Sequence, residues 1–411
     1  MVMAGSIFLL AGESVFREGV ELVNTDELKS LVISEVDSES GRLGDLSLKI
    51  HSHPEMGFDE RKAVGWLGTY LGGKGFSVEN GICGLSTAFR ARYGDGKPVL
   101  GIIAEYDALP GLGHACGHNI IAASAVGAAV AIRAVIDSLG GSVVVLGTPA
   151  EEMGGGKVTM LEMGAFSELD MAMMLHPGVY DIATIRALAS QVLKVEFFGK
   201  AAHAAARPEA GINALEAMLQ SFTAINSLRQ HISDRARIHG IITDGGQAAN
   251  IVPEHSAGVF IVRAESDAYL DELKQKVVNC FSGAATASGA RLEYRWEKNH
   301  YATMLNNMPL ACLFRRNAEL LGRVMELTCP DGFVFSTDMG NVSHQIPAIH
   351  PMMAIAQDNI LLHSSQFASA AASDEGKRAL LDGSKSMAMT AVDLLADLDK
   401  MEEIKEGFSR Q

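Results

Sequence analysis

Three apolar runs, each turning polar at its far end, set the tightest limit on what this chain can fold into. Val99-Leu-Gly-Ile-Ile-Ala-Glu105 leads to a break at Pro110, Ser142-Val-Val-Val-Leu-Gly-Thr148 leads to Glu151-Glu152 and three glycines, and Asp170-Met-Ala-Met-Met-Leu-His176 ends on histidine. Strands apolar on both faces and alternating with helical patterns predict an α/β domain, its mostly parallel sheet covered by helices. In such sheets chemistry collects in the loops beyond the carboxyl ends of strands. Asp107, Glu151, Glu152 and His176 therefore become candidates before any motif is considered. The spacing predicts a buried helix over Ile120–Ile136, with Asn119 placed as its cap.

The pattern changes after Ala189. Strands are expected at Gln191–Phe198, Arg237–Thr243, Ala257–Ala264 and Arg291–Trp296, with helices at Gly211–Gln230 and Ser266–Ser282. This β-α-β-β-α-β order fits an inserted ferredoxin-like α+β unit of ~100 residues. The α/β pattern resumes near His300, with helices expected at Met308–Leu321 and Ser384–Asp397. The chain thus divides into a catalytic domain over 26–189 and 300–411, an inserted domain over 190–299, and a segment 1–25 left unassigned. Its 411 residues suit two or three domains.

Composition removes several function classes. Thirty-four Lys and Arg against 49 Asp and Glu give a net charge of -15, which argues against a nucleic-acid partner. The five cysteines (Cys83, Cys116, Cys280, Cys312 and Cys329) are scattered without CxxC spacing, so a reducing, cytoplasmic setting is expected. The start lacks the basic region and cleavage site of a signal peptide. The Ile120–Ile136 run is interrupted by Arg133 and short for a bilayer span, so no membrane partner is expected.

The densest chemistry lies in Gly113-His-Ala-Cys-Gly-His118. Cys116 and His118 stand two apart, on one face of an extended segment, and Gly117 can adopt a backbone angle that lets both reach one point. A thiolate and an imidazole together suit a transition metal, while a packed thiol beside a loop histidine explains the run equally well. Glu151-Glu152 emerges from a buried strand, where two unpaired charges would be costly. One carboxylate as ligand and the other as general base removes that cost. His176 and His363 are each more often core histidines than ligands, and gain weight only in combination. His203 lies in the inserted unit, far from the rest in sequence, so a role would need domain closure or a neighbouring protomer. No GxSxG, HExxH or GxxxxGK[ST] pattern occurs.

Seven ordered motifs together resemble the di-metal aminoacylase and glutamate-carboxypeptidase superfamily, in particular its amidohydrolase branch. They are Ile50-His-Ser-His-Pro-Glu-Met-Gly-Phe58, Ala104-Glu-Tyr-Asp-Ala-Leu-Pro110, His114-Ala-Cys-Gly-His-Asn119, Thr148-Pro-Ala-Glu-Glu152, Gly199-Lys-Ala-Ala-His-Ala204, Asn250-Ile-Val-Pro253 and Ser336-Thr-Asp-Met339. The resemblance implies Cys116, His118, Glu152, His176 and His363 as ligands to two divalent ions, manganese or zinc. It implies Glu151 as general base, Asp107 orienting a ligand, His203 stabilising the oxyanion, and Asn250 contacting substrate. Arg207 and Arg263 are candidates for a substrate carboxylate, or for structural salt bridges. The inserted domain would serve as lid and dimerisation surface, and the reaction would be hydrolysis of an amide bond in an N-acyl amino acid or dipeptide. Branch members commonly carry Asp where this chain has Glu105 and Asn119, a departure that resembles the subgroup of mammalian-type dipeptidases and leaves the acyl side open. Three other readings compete: a hydrolytic deaminase using the same metals, a non-catalytic ligand-binding protein, and Cys116 as a nucleophile.

Overall fold

Val99–Glu105 lies at the centre of a six-stranded sheet in the computed structural model, which describes residues 24–410. Every residue of Val99–Glu105 and of its parallel neighbour Ser142–Thr148 is buried, as expected of strands covered on both faces. Met171–Met173 runs parallel on the other side, followed by Ala348–Ile349. Phe89–Tyr93 and Ser77–Asn80 extend the opposite edge through antiparallel pairings, so the sheet is mixed, with three parallel pairings out of five. Register pairs Glu105 with Thr148, which sets the loops carrying Asp107 and Glu151-Glu152 side by side.

The expected strand Asp170–His176 is divided. Met171–Met173 belongs to the central sheet, and His176–Gly178 to a smaller one with Glu326–Thr328, Ile182–Thr184 and Met352–Ala354. The backbone N–H groups of Ala172, Met174 and His176 donate to Pro347, Ile349 and Pro351 in turn, so one extended segment passes from sheet to sheet. His176 therefore opens a strand in the second sheet.

Helix His118–Leu139 is the apolar run of the sequence, long and apolar enough to cross a membrane, yet packed inside the protein. It starts two residues before the expected position. Gly117, at φ 79°, is its N-cap, while Asn119 is buried in the first turn and donates from Nδ2 to Ser47 Oγ and the Ala371 carbonyl. A side chain committed to tertiary partners cannot cap. Thr25–Ser38, Ser40–His51 and Arg61–Gly73 pack around this helix, as does Asp374–Ala396. The last begins ten residues before the expected Ser384, because its first turns are polar and Ser373 caps them. A further helix, Leu398–Ser409, lies beyond the last one expected, although Leu398, Met401, Ile404 and Phe408 recur at helical spacing. Of the unassigned segment, residues 1–23 lie outside the described residues, and Asn24 caps the first helix.

Between Ala189 and Trp296 the chain forms a four-stranded antiparallel sheet in the order Arg291–Trp296, Ala189–Phe198, His255–Ala264, Arg237–Asp244. Helices Ala214–Leu228 and Asp267–Ser288 cover one face, where Leu193, Phe197, Phe260, Val262 and Phe281 form a separate core. His255–Ala264 alternates between buried and half-buried positions, the signature of a sheet with one covered face. The uncovered face carries Ser190, Val192 and Lys194 opposite Arg263, Ile261 and Val259.

Candidate active site

Gly117 makes the first part of the site possible. Its left-handed backbone lets Cys116 end one segment as His118 begins a helix, and a Cβ there would meet Pro177 Cγ at 2.4 Å. Cys116 Sγ then lies 3.6 Å from His176 Nε2, whose Nδ1–H donates to the Pro177 carbonyl at 2.6 Å. That bond leaves Nε2 as the free donor atom. Burial and the adjacent His118 push the His176 pKa down to about 3, so the ring is neutral and fit to ligate.

The second part hangs on Asp107. Its Oδ1 accepts from His118 Nδ1 at 3.0 Å and its Oδ2 from the Glu152 backbone N–H at 3.0 Å, locking the imidazole to the carboxylate loop. His118 Nε2 points at Glu105 Oε1 (3.2 Å) and Glu152 Oε1 (3.8 Å), and His363 Nε2 lies 3.5 Å from the same Glu152 oxygen. His118 Nε2, Glu105 Oε1 and Glu152 Oε1 are all buried without a hydrogen-bond partner. Three donor sets, each within 4.8 Å, result: Cys116–His118–His176, Cys116–Glu152–His363 and Glu105–His118–Glu151. All five residues expected to ligate are thus brought together, and Cys116 and His118 are each shared between two sets.

The electrostatics of this cluster call for cations. Burial, then Glu105, Glu152 and Asp338, raise the Glu151 carboxyl far above the usual range. Burial opposes a charged His118, but Glu105 and Asp107 outweigh it and hold the ring protonated well above its ordinary value. A proton there meets the demand that a divalent ion would meet, and the two compete for the same nitrogen. The orphaned atoms and the surplus of carboxylates therefore fit a metal centre.

Glu151 follows Ala150, which sits at φ 57°, a left-handed conformation costly for a residue with a Cβ. Two groups hold it there: Glu60 Oε1 accepts the Ala150 N–H at 2.8 Å, and the Tyr301 hydroxyl donates to the Glu151 carbonyl. Burial raises the Glu60 pKa to about 7. In the unfolded chain a glutamate titrates near ~4.3, so the folded state binds this proton more tightly. Its contribution to stability is complete below that value and is lost as pH rises through about 7. Between about pH 5 and about pH 8 the urea midpoint of the wild type should fall further than that of Glu60→Gln. Equal falls would show that Glu60 titrates the same way folded and unfolded.

The cluster forms one wall of a cavity of about 780 Å³. The opposite wall is the uncovered face of the antiparallel sheet, with Val192, Val259, Ile261 and Arg263. Arg263 donates to Ser336 Oγ at 2.5 Å and has no carboxylate within ion-pair distance among the described residues. His203, Asn250 and Arg207 are not part of this wall. They are exposed together at one end of the unit, where the Asn250 carbonyl accepts from the Ala204 N–H, His203 bridges to Ile251, and Arg207 approaches Glu209 at 3.7 Å. These three lie in loops beyond the strands, whereas Arg263 lies on an inner strand with its side chain lining the cavity.

Besides Glu60, Tyr301 and Glu105, sequence reasoning missed Lys157, Asp338 and His350. Lys157 is wholly buried, donating to Glu105 Oε2 and, at 2.6 Å, to Asp338 Oδ1. Asp338 lay within a quoted motif, but nothing local marks Lys157 as buried. His350, 1 % exposed, lines the cavity 5.3 Å from the His176 ring with neither nitrogen hydrogen-bonded.

Comparison with known proteins agrees with this geometry. The chain is 38% identical over 398 residues to a mouse Xaa-Arg dipeptidase, covering 93% of this chain and 92% of that protein. It is 27% identical to a p-aminobenzoyl-glutamate hydrolase chain of Escherichia coli, covering 92% and 94%. Its fold matches a dinuclear metal-binding peptidase from Bacillus subtilis with a TM-score of 0.65 at 22% identity, covering 87% and 99%. It also matches an aminobenzoyl-glutamate utilization protein from Klebsiella pneumoniae with a TM-score of 0.71 at 18% identity, covering 90% and 98%. The model of peptidase family M20/M25/M40 spans residues 101–395, from the central strand through the last long helix, and so takes in every residue of the metal-facing cluster. With donors, carboxylate pair and relatives in agreement, the chain belongs to peptidase family M20/M25/M40 and is a metal-dependent hydrolase.

Proposed function

We propose that the protein hydrolyses the amide bond of a dipeptide or N-acyl amino acid bearing a free carboxylate. The observation that carries this reading is the cavity itself: the carboxylate, thiol and imidazole cluster stands on one wall, and Arg263 without an acidic partner stands on the other. Cys116, His118, Glu152, His176 and His363 would hold two divalent ions, manganese or zinc. When bound, these ions supply Lewis acidity toward a water and the scissile carbonyl. Glu151 takes the proton of the attacking water and delivers it to the departing amine. Asp107 keeps His118 in one tautomer and orientation. Arg263 holds the substrate carboxylate through its planar fork and thereby fixes which amide faces Glu151.

His203, Asn250 and Arg207 would reach the site by domain closure or from a second copy, and we read the antiparallel unit as an inserted ferredoxin-like lid that also forms a homodimer. In that arrangement His203 stabilises the oxyanion and Asn250 contacts substrate. The cytoplasmic setting is proposed from cysteine usage alone. The dipeptidase relative supports dipeptides with a C-terminal arginine as the first substrates to try.

The test is a release assay on dipeptides with C-terminal Arg or Lys, N-acyl amino acids and aminobenzoyl-glutamate, run after chelation and after add-back of manganese or zinc. Chelation should abolish amide cleavage, add-back should restore it, and Arg263→Met should raise KM by at least ~10-fold on the best substrate. Ammonia release without an amino-acid product would favour a deaminase. Activity surviving chelation would overturn the metal-dependent reading.

A further inference from the structure

Glu105 belongs to the metal-facing cluster, yet neither the motifs nor the proposed mechanism gives it a task. It ends the central strand opposite Thr148 and is 1% exposed. Its two oxygens meet different fates. Oε2 accepts from the buried Lys157 ammonium, which Asp338 braces from the other side at 2.6 Å. Oε1 has no hydrogen-bond partner and lies 3.2 Å from His118 Nε2, an atom that also has none.

A purely structural Lys–Glu pair does not account for this arrangement. A buried carboxylate oxygen needs a partner, and the nearest group is the His118 nitrogen 3.2 Å away, which can meet it with a proton in the metal-free protein or through a shared ion in the working one. The His118 ring is anchored through Nδ1 to Asp107, leaving Nε2 as its ligating atom. Two donors on one ion at ~2.1 Å stand about 3.0–3.4 Å apart. The spacing between Glu105 Oε1 and His118 Nε2 is that of two ligands sharing an ion. Lys157 holds the other oxygen, so the carboxylate cannot turn Oε1 away without breaking a buried ion pair.

We propose that Glu105 Oε1 is a further ligand to the ion held by His118, a sixth protein donor to the centre. This rests on the metal-centre reading above. An added carboxylate oxygen makes that position harder and higher in coordination number, which favours manganese over zinc there.

Calorimetric titration of metal-free wild type and Glu105→Gln with manganese, alongside cobalt absorption spectra, tests the assignment. The wild type should take two ions per chain. Glu105→Gln should keep one at wild-type affinity and bind the other at least ~10-fold more weakly, with a changed cobalt band. Two ions at unchanged affinity with an unchanged spectrum would overturn the assignment of Glu105 alone, whereas a wild type that takes up no metal would overturn the metal centre itself. If circular dichroism shows Glu105→Gln to be unfolded, Glu105→Asp, which keeps the charge and withdraws it by one methylene, carries the same comparison. The anomalous signal of manganese-loaded wild-type crystals decides independently: Oε1 within about 2.6 Å of an ion supports the proposal, and a longer separation refutes it.

Discussion

Glu151→Gln is expected to retain its metal complement and to lose turnover by ~10²–10⁴-fold, the usual contribution of a positioned general base. The amide matches the carboxylate in shape but cannot take a proton from water. Little else should change, because the loop is held by groups other than the Glu151 side chain. Glu60 fixes the Ala150 N–H, Tyr301 fixes the Glu151 carbonyl, and Asp107 fixes the Glu152 N–H. Burial, then Glu105, Glu152 and Asp338, already disfavour the charged form of Glu151 in the metal-free protein, so a neutral amide there should leave the variant at least as stable as the wild type. Metal content by plasma emission, together with kcat on the best amide substrate, checks both halves. Normal turnover with both metals bound would eliminate Glu151 as the base.

Lys157→Met is expected to produce the largest loss of stability among single changes near the site, about 3–5 kcal/mol. Lys157 is wholly buried between Glu105 and Asp338, and its backbone N–H donates to Asp338 Oδ2 as well. Burial alone would disfavour the ammonium, but Asp338 and then Glu105 reverse this and keep it firmly charged. Methionine fills a similar volume and leaves two carboxylates buried without their cation. The penalty arises from those stranded charges rather than from the lost attraction. Asp338→Asn should cost clearly less, since Lys157 keeps Glu105 and the amide still offers an acceptor. Urea unfolding of the metal-free proteins at neutral pH measures both. A Lys157→Met midpoint equal to that of Asp338→Asn would mean that water or protonation relieves the buried acids.

How much was legible in advance depended on how local each signal was. The central strands could be read because seven consecutive residues are buried on both faces. The turn at Gly117 could be read because Cys116 and His118 need a backbone that brings both to one point, and its φ of 79° supplies it. By contrast, Asn119 looked like a cap until Ser47 and Ala371, far away in sequence, claimed its amide. The start of Asp374–Ala396 was invisible because its first turns are polar and take their place from packing further along the helix. The segment Asp170–His176 reads as a single strand because residues 171–175 are uniformly apolar, while the change of sheet is imposed by its neighbour at 347–351.

The sequence by itself determined the inventory of the site: a thiol, imidazoles and paired carboxylates placed in loops beyond or between buried strands. Short-range spacing and strand burial suffice for that, since each signal spans only a few residues. Only the tertiary structure decided which groups face one another. It put Arg263 across a cavity of about 780 Å³ from Glu151 and left His203, Asn250 and Arg207 exposed elsewhere. It also buried Lys157 between acids 52 and 181 residues away in the chain. A buried charge is tolerable only when its partners arrive from other segments, and sequence spacing carries no record of that arrival.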